Sequence, residues 1–334
     1  MKALVLRRFG PPDANGPLIL ADVPVPEVGA ADILIRVSCC GVCHTDLHTV
    51  EGELPNLTLP RIPGHEVVGV VEKAGKAARR FQEGQRVGAA WLHSACGVCR
   101  FCRRGDENLC ERARFNGYQT DGGYAEFMAV PEAFAYALPE VFTDEEAAPL
   151  LCAGIIGYRA LRLSRVEPGG TLGLFGFGAS AHIAIQVARK RDCRVFVFTR
   201  SEEHRALARR LGAEWTGGAQ DEPPAKVDGA IIFAPVGALY LDALRVLDRG
   251  GTAASAGIHM SRIPELDYDL LYNERVMRSV ANATRRDGEE FLSAAAEIPV
   301  RTTTQAFPLE KANEALALLK AGKVNGAAVL RVRP

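Results

Sequence analysis

The first 150 residues show short apolar stretches separated by glycine and proline, a pattern typical of strands and turns. The apolar patch within MKALVLRRFG predicts a first strand, because it is too short for the core of a secretory signal. Further strands are predicted at Ile33–Val37, Glu66–Val71 and Glu126–Val130. We therefore expect this region to be mainly β.

From Gly170 onward the pattern changes to apolar strands that alternate with amphipathic helices. The predicted elements are strands at Thr171–Phe175, Val195–Phe198 and Ala230–Phe233 and helices at Ala179–Lys190, Glu202–Leu211 and Leu239–Leu247. This alternation is typical of a doubly wound parallel sheet. A last helix is predicted at Leu309–Ala321, with Gly322 as the residue that ends it.

Length and charge restrict the classes of protein that the chain can belong to. At 334 residues, two domains are expected, because single cores rarely grow so large. The 40 basic and 40 acidic residues balance, so no net charge favours nucleic acid or an anionic membrane. No apolar run reaches the roughly 20 residues that span a bilayer. We therefore expect a cytoplasmic protein with neither nucleic acid nor membrane as a partner.

Four of the nine cysteines lie close together, at Cys96, Cys99, Cys102 and Cys110. Each Cys-x2-Cys step lets two sulfurs face one point, and the longer excursion to Cys110 returns a fourth thiolate to close a tetrahedron. An iron–sulfur cluster is the main alternative, but such motifs continue with a three-residue gap and Cys-Pro, whereas Glu111 follows here. Zinc is favoured over a cluster or unpaired thiols. Four thiolates leave no position for a substrate, so this zinc is expected to be structural.

A second group of metal-ligating residue types is spread along the chain. It comprises Cys43 in Gly-Val-Cys-His-Thr-Asp, His65 in Gly-His-Glu, and the isolated Cys152. None is diagnostic alone, because a lone cysteine in an apolar stretch usually only packs. Their joint occurrence ahead of a dinucleotide-binding pattern is what indicates a second metal site.

The dinucleotide-binding pattern lies between the first predicted strand and helix of the second region. Gly176 permits a tight turn, Gly178 lets the backbone approach a pyrophosphate, and Ala179 opens a helix whose amino end attracts it. Ala181 stands at the third glycine position, a permitted variant. Alone this pattern is weak evidence, but inside a strand–helix–strand frame it is strong.

With these motifs the chain resembles, over essentially its whole length, the zinc-containing alcohol dehydrogenases of the medium-chain dehydrogenase/reductase superfamily. The resemblance implies an α/β architecture, with a mainly-β, GroES-like catalytic domain and a Rossmann domain. The catalytic domain would comprise residues 1–152, completed by 287–334, and would hold both zinc sites. The Rossmann domain would comprise residues 153–286.

The resemblance also implies a catalytic zinc held by Cys43, His65 and Cys152, with one coordination position open. Asp46 would accept a hydrogen bond from the far nitrogen of His65, and Glu66 would lie just behind the metal. The remaining cysteines outside the four-cysteine loop are interpreted as packing residues, namely Cys39, Cys40 and Cys193.

Further residues receive roles from the same resemblance. The alcohol proton would leave through the hydroxyl of Thr45, the cofactor ribose and then His48. Trp91 would line the substrate pocket and favour small primary alcohols by exclusion. The residues expected to contact the dinucleotide outside the glycine turn are His44 for the pyrophosphate and Gly257 and Ile258 for the nicotinamide.

The cofactor preference depends on the end of the second strand of the Rossmann domain. Members that prefer NAD carry an acidic residue there, whereas this chain has Thr199 followed by Arg200. Arg200 could pair with a 2′-phosphate, so NADP(H) is favoured and NAD(H) stays an alternative. Ala327 replaces an arginine that commonly contacts the pyrophosphate in this family, so weaker electrostatic binding of the cofactor is expected.

The expected activity is reversible oxidation of small primary alcohols, with secondary or aromatic alcohols also considered, by hydride transfer to NAD(P)+. The alternatives are an aldehyde or enone reductase of the same superfamily, a dinucleotide-binding protein without turnover, and a zinc-ribbon nucleic-acid binder. The resemblance further implies two zinc ions per chain and a homo-oligomer, either a tetramer or a dimer.

Overall fold

The computed structural model describes residues 1–13, 16–258, 260–298 and 300–333. The chain forms two compact units. The first unit comprises Met1–Cys152, Thr284–Leu292 and Arg301–Pro334, and the second comprises Ala153–Ala283 and Ser293–Val300. The expected boundary between residues 286 and 287 therefore falls inside a segment that packs with the first unit.

The elements are named here in chain order. The strands are β1 (Lys2–Leu6), β2 (Leu18–Asp22), β3 (Asp32–Val42), β4 (Val67–Ala74), β5 (Arg86–Ala89), β6 (Leu92–Ser94), β7 (Arg114–Phe115), β8 (Phe127–Pro131), β9 (Ala135–Ala137), β10 (Thr171–Phe175), β11 (Arg194–Phe198), β12 (Trp215–Gly217), β13 (Val227–Ile232), β14 (Leu247–Ser255), β15 (Val276–Ser279), β16 (Thr304–Pro308) and β17 (Ala327–Arg331). The helices are α1 (His44–Glu51), α2 (Arg100–Arg103), α3 (Asp144–Ala147), α4 (Ala153–Leu163), α5 (Ala179–Lys190), α6 (Glu202–Arg210), α7 (Leu239–Val246), α8 (Arg285–Glu297) and α9 (Ala312–Lys320).

The first unit is built on a seven-stranded sheet in which β3 is the central strand. The sheet order is β16-β17-β3-β4-β5-β9, and β8 also pairs with β3. The first half of β3 pairs with β8 and its second half with β17, while β4 lies along the other side. The apolar residues Ile33, Ile35 and Val37 of β3 are fully buried. Because β3 is held on both edges, the residue that follows it, Cys43, has a fixed position.

The second unit contains a six-stranded sheet in which every neighbouring pair is parallel. The sheet order is β12-β11-β10-β13-β14-β15, so β10 and β13 lie at the centre and the chain crosses over between β12 and β13. All five residues of β10 are buried, as expected for a strand covered on both faces. Phe175 of β10 and Phe198 of β11 stack with ring centroids 4.1 Å apart. This is the strand order of a Rossmann dinucleotide-binding sheet.

The predicted fold class is confirmed, with small differences in the elements. Strand β10 and helix α5 have the predicted bounds. The last helix begins at Ala312, later than predicted, because Leu309–Lys311 forms a separate 3-10 turn after Pro308. Gly322 follows that helix with a φ of 65°, as expected for a terminating glycine. Among the described residues no helix is both long and apolar enough to cross a bilayer.

Candidate active site and metal centres

Cys43 lies at the junction between the central strand β3 and helix α1. It is the N-cap of α1, and its Sγ accepts a hydrogen bond from the backbone N–H of Thr45 at 3.2 Å. The Asp46 carboxylate in turn accepts from the backbone N–H of Cys43 at 3.0 Å. The amino end of a helix favours negative charge, so this position suits a thiolate ligand.

His65 and Asp46 form a buried pair next to this thiolate. Nδ1 of His65 lies 3.2 Å from Oδ1 of Asp46, and both side chains are at most 2% exposed. The same carboxylate oxygen accepts from the backbone N–H of Gly64. Asp46 therefore fixes the imidazole ring, whose other nitrogen, Nε2, lies 3.3 Å from Sγ of Cys43.

Cys152 completes the group from a distant part of the first unit. Its Sγ lies 4.0 Å from Sγ of Cys43. Ligand atoms of Cys43, His65, Glu66 and Cys152 all lie within 4.8 Å of one another. A zinc–sulfur bond of about 2.3 Å places two tetrahedral sulfurs about 3.8 Å apart, so the observed spacing fits a zinc ion.

The charges in this group also fit a cation. The hydrogen bond from Cys152 and the neighbouring His65 hold the pKa of Cys43 well below its usual range. Burial alone would lower the pKa of His65, but the charges of Asp46 and Cys43 raise it well above its usual value. Burial raises the pKa of the Glu66 carboxyl well above its usual value. Such a concentration of buried acidic groups is stabilised when a divalent cation takes the place of protons.

The four-cysteine loop brings its thiols together without help from distant residues. Sγ of Cys102 lies 3.5 Å from that of Cys99 and 3.9 Å from that of Cys96. Backbone N–H groups of the loop donate to sulfur, from Cys99 to Cys96 at 3.3 Å and from Cys96 to Cys110 at 3.4 Å. All four Sγ atoms lie within 4.8 Å of one another. This set fits a zinc ion with four thiolates and no room for a further ligand.

The residues expected to serve proton transfer lie on helix α1. Thr45, the second residue of the helix, is half-buried, and His48 lies about one turn further along. Nδ1 of His48 forms a short contact with Oε2 of Glu53, a residue that the sequence did not single out. His44 is exposed at the start of the helix.

Trp91 lies beside the proposed zinc ligand His65. The two rings meet edge to face, with centroids 4.9 Å apart and an interplanar angle of 76°. Trp91 is half-buried, so part of its surface is accessible. The residues that hold it, Phe115, Asn116 and Tyr118, belong to no motif and were not predicted from the sequence.

The glycine turn between β10 and α5, predicted to bind the dinucleotide, has a tight turn at Gly176 and an open helix start. Gly176 has a φ of 87°, and a Cβ there would come within 3.0 Å of Ala234, so this position requires glycine. Gly178 is the N-cap of α5, where no side chain caps the helix and a Cβ would meet open space. Exposed Ala179 follows. The first amides of α5 are therefore accessible to an anion.

The other predicted cofactor residues lie at strand ends of the second unit. Thr199 follows β11, is 8% exposed, and donates its backbone N–H to Gly217 at 2.8 Å. Arg200 is exposed next to it. Gly257 and Ile258 follow β14, and Ile258 is exposed. In the first unit, Ala327 begins β17 and is buried.

The sequence matches known families in both units. Residues 29–140 match the alcohol dehydrogenase GroES-like domain, and residues 179–297 match the zinc-binding dehydrogenase family. Together with the geometry of the metal-ligating groups, these matches define a zinc-binding dehydrogenase.

Similar proteins specify the family further. The chain is 50% identical to the Mycobacterium tuberculosis protein named Probable alcohol dehydrogenase AdhA, over 99% of this chain and 97% of that one. It is 35% identical to an alcohol dehydrogenase of Geobacillus stearothermophilus, over 99% of this chain and 100% of that one. A cinnamyl alcohol dehydrogenase structure from Sorghum bicolor matches with a TM-score of 0.90 at 28% identity, covering 99% and 97% of the two chains. The chain belongs to the zinc-containing alcohol dehydrogenases of the medium-chain dehydrogenase/reductase superfamily.

Proposed function

We propose that this alcohol dehydrogenase oxidises small primary alcohols reversibly at a zinc ion held by Cys43, His65 and Cys152. The observation that carries the proposal is the convergence of two thiol sulfurs and one imidazole nitrogen. Nε2 of His65 lies 3.3 Å from Sγ of Cys43, and Sγ of Cys152 lies 4.0 Å from it. A second zinc held by the four-cysteine loop has a structural role. Two zinc ions per chain follow from the two ligand groups.

A zinc ion held by Cys43, His65 and Cys152 would supply a Lewis acid for the alcohol hydroxyl, and a bound nicotinamide would supply the hydride acceptor. The hydroxyl of Thr45, next to the proposed ligand Cys43, would accept the alcohol proton as it gives up its own proton toward His48. His48, 17% exposed and in contact with Glu53, releases a proton to solvent. Asp46 orients His65, and Glu66 adds negative charge behind the metal. Trp91 forms a wall next to His65 that excludes bulky alcohols.

The proposed nucleotide is NADP(H). Thr199 ends β11 without a carboxylate that would repel a 2′-phosphate, and the exposed Arg200 provides a guanidinium for it. The amides around Gly178 and Ala179 would take the pyrophosphate. The remaining proposed contacts are His44 with the pyrophosphate and Gly257 and Ile258 with the nicotinamide amide. Ala327 contributes no charge, so cofactor binding relies more on backbone groups.

The proposed assembly is a homo-oligomer, a dimer or a tetramer, in the cytoplasm. Strand β15 forms one edge of the six-stranded sheet, and the exposed side chains there include Val276 and, just before it, Tyr268 and Tyr272. An apolar sheet edge of this kind favours pairing with another chain. None of the nine cysteines, all of which lie in the described residues, forms a disulfide, as is usual in a reducing compartment.

The experiment that tests the proposed function is an activity panel on purified protein with measured zinc content. Primary alcohols of increasing length, a secondary alcohol and an aromatic alcohol are each assayed with NAD+ and with NADP+, and the aldehydes with the reduced cofactors. We expect two zinc ions per chain and the highest kcat/KM for a small primary alcohol with NADP+. Failure of the two-zinc protein to oxidise any alcohol would refute the proposed function, and a metal content of one would remove one site.

The nucleotide proposal has its own test in Thr199→Asp. The new carboxylate would repel a 2′-phosphate and accept from the ribose hydroxyls of NAD, so the preference should move from NADP+ towards NAD+. The measurement is the ratio of kcat/KM for the two nucleotides with one alcohol. A wild-type enzyme that already prefers NAD+ contradicts the proposal before the variant is made.

A further inference from the structure

Trp91 is held by a stack of aromatic rings that come from one short segment, Phe115–Tyr118. The Phe115 ring lies nearly parallel to Trp91, at 15°, with centroids 5.1 Å apart. The Tyr118 ring lies at 16° with centroids 5.8 Å apart. Stacked rings at these separations attract one another beyond the simple burial of apolar surface. The orientation of the indole ring is therefore set by its neighbours in this segment.

The same segment also holds the backbone around Trp91. The backbone N–H of Asn116 donates to the carbonyl of Trp91 at 2.9 Å, and its side-chain Nδ2 donates to the carbonyl of Ala90 at 2.6 Å. Asn116 is fully buried, and its Oδ1 lies 2.7 Å from Nδ1 of His93. A buried amide bonded at both ends tolerates little movement. The Asn116 side chain therefore holds a residue on each side of Trp91, Ala90 before it and His93 after it.

Tyr118 extends this support to a second part of the first unit. Its hydroxyl donates to the carbonyl of Pro55, in the segment that follows helix α1. Tyr118 is 8% exposed, so its ring is packed on most sides. The segment Phe115–Tyr118 thus joins the Trp91 ring to the part of the chain that carries Cys43.

We propose that the segment Phe115–Tyr118 is a specificity-determining element that holds the Trp91 ring against His65 and thereby sets the upper size limit of the alcohol. Phe115, Asn116 and Tyr118 act through Trp91 and are positioning residues. The inference rests on the proposed function, because Trp91 limits substrate size only if the metal at His65 binds the alcohol. A flexible Trp91 would still border this metal site but would move aside for larger substrates.

The test compares Tyr118→Leu, Trp91→Ala and the double variant in kcat/KM for ethanol and for a branched or aromatic primary alcohol. Tyr118→Leu removes a stacking ring, so we expect the ratio of large to small alcohol to rise about tenfold. If Tyr118 acts through Trp91, the double variant should have the same ratio as Trp91→Ala alone. Tyr118→Phe is the matched control, since it keeps the ring and removes only the hydroxyl, and it should change the ratio less. Zinc content is measured for each variant.

A spectroscopic measurement on variants that retain two zinc ions per chain, and are therefore folded, reports on the Trp91 ring independently of turnover. The chain has two tryptophans, so Trp215→Phe leaves Trp91 as the single indole emitter. In that background Tyr118→Leu should move the emission to longer wavelength in the absence of cofactor and alcohol, because the indole gains contact with water. Phe115→Leu serves as a second variant if Tyr118→Leu does not fold, and it should have the same effects.

The outcomes distinguish the inference from the function on which it rests. If Trp91→Ala admits larger alcohols while Tyr118→Leu and Phe115→Leu leave both the size ratio and the emission unchanged, the segment does not position Trp91 and the inference is overturned. Additive effects of Trp91→Ala and Tyr118→Leu would overturn it as well. If Trp91→Ala itself leaves the size ratio unchanged, the proposed substrate wall is wrong.

Discussion

The two metal-binding groups of the first unit differ in how the chain assembles them. The four thiols of the proposed structural group come from one loop, Cys96 to Cys110. The proposed catalytic group joins Cys43 to His65, 22 residues away, and to Cys152, 109 residues away. The ligand atoms of this group come together only when strand β3 is paired with its neighbours. The assembled group therefore depends on the fold of the whole unit.

The surroundings of the two groups differ in one respect. In both, a backbone N–H donates to sulfur, from Cys99 to Cys96 at 3.3 Å in the loop and from Thr45 to Cys43 at 3.2 Å in the assembled group. The assembled group also has a buried carboxylate, Asp46, which accepts from the N–H of Cys43 and holds the ring of His65. A local loop can hold its four ligand sulfurs with hydrogen bonds from its own backbone N–H groups. A group assembled from distant residues needs a separate orienting residue, and it can leave room for a substrate.

The largest expected effect on turnover comes from Cys43→Ser. A hydroxyl is a poor zinc ligand compared with a thiolate, so we expect alcohol oxidation to fall below detection while the zinc content drops from two to one per chain. Cys39→Ala is the matched control: this buried cysteine lies on β3, the strand that leads to Cys43, contributes to neither group, and should leave both metals in place. A Cys43→Ser protein with normal turnover would show that the catalytic centre lies elsewhere.

The difference between a group formed by one loop and a group assembled from distant residues also determines what could be predicted from the sequence. The loop follows from spacing alone, because two Cys-x2-Cys steps leave few ways to arrange the sulfurs. Cys152 has no local signal, and only the resemblance to a family connects it with His65. The regular alternation in the second unit predicted β10 and α5 with their observed bounds, whereas β12, with only Trp215–Gly217, was too short to show a period.

Contacts between distant segments had no signal in the sequence at all. Tyr118 and Pro55 are 63 residues apart, and neither belongs to a recognised motif. The same holds for Glu53, whose contact with His48 depends on how the chain leaves helix α1 at Gly52, a residue with a φ of 78°. Side-chain pairing of this kind is fixed by packing, which a single sequence does not display.

Thr45→Ala separates proton transfer from metal binding in the assembled group. The variant keeps the backbone N–H that donates to Sγ of Cys43 and removes only the hydroxyl. We expect kcat to fall by about 10²–10⁴-fold with two zinc ions still bound, because a positioned proton acceptor contributes about that much. Thr45→Ser should recover most of the activity. Unchanged turnover in Thr45→Ala would refute the role of the hydroxyl.

Asp46→Asn tests whether the assembled group needs its orienting carboxylate. The amide keeps the shape of the side chain but loses the charge that faces His65 and holds its pKa up. We expect zinc affinity or turnover to fall by about 10–100-fold. Zinc release to a competing chelator measures the affinity, and the loop zinc should be unaffected. Asp106→Asn is the matched control in the four-cysteine loop, where the carboxylate pairs with exposed Arg104 instead of a ligand.

Cys99→Ser should have the smallest effect on turnover and the clearest effect on stability. The proposed loop zinc would have no free coordination position, so its loss should remove cross-links within the loop and no group that touches the alcohol. We expect one zinc per chain and a Tm lower by about 2–8 °C, since ~1–2 kcal/mol produces a shift of that size in a unit of this length. Turnover per remaining zinc, measured below the unfolding transition, should stay close to the wild-type value. If turnover instead falls as far as in Cys43→Ser while the protein remains folded, the loop contributes to catalysis and the contrast between the two groups is wrong.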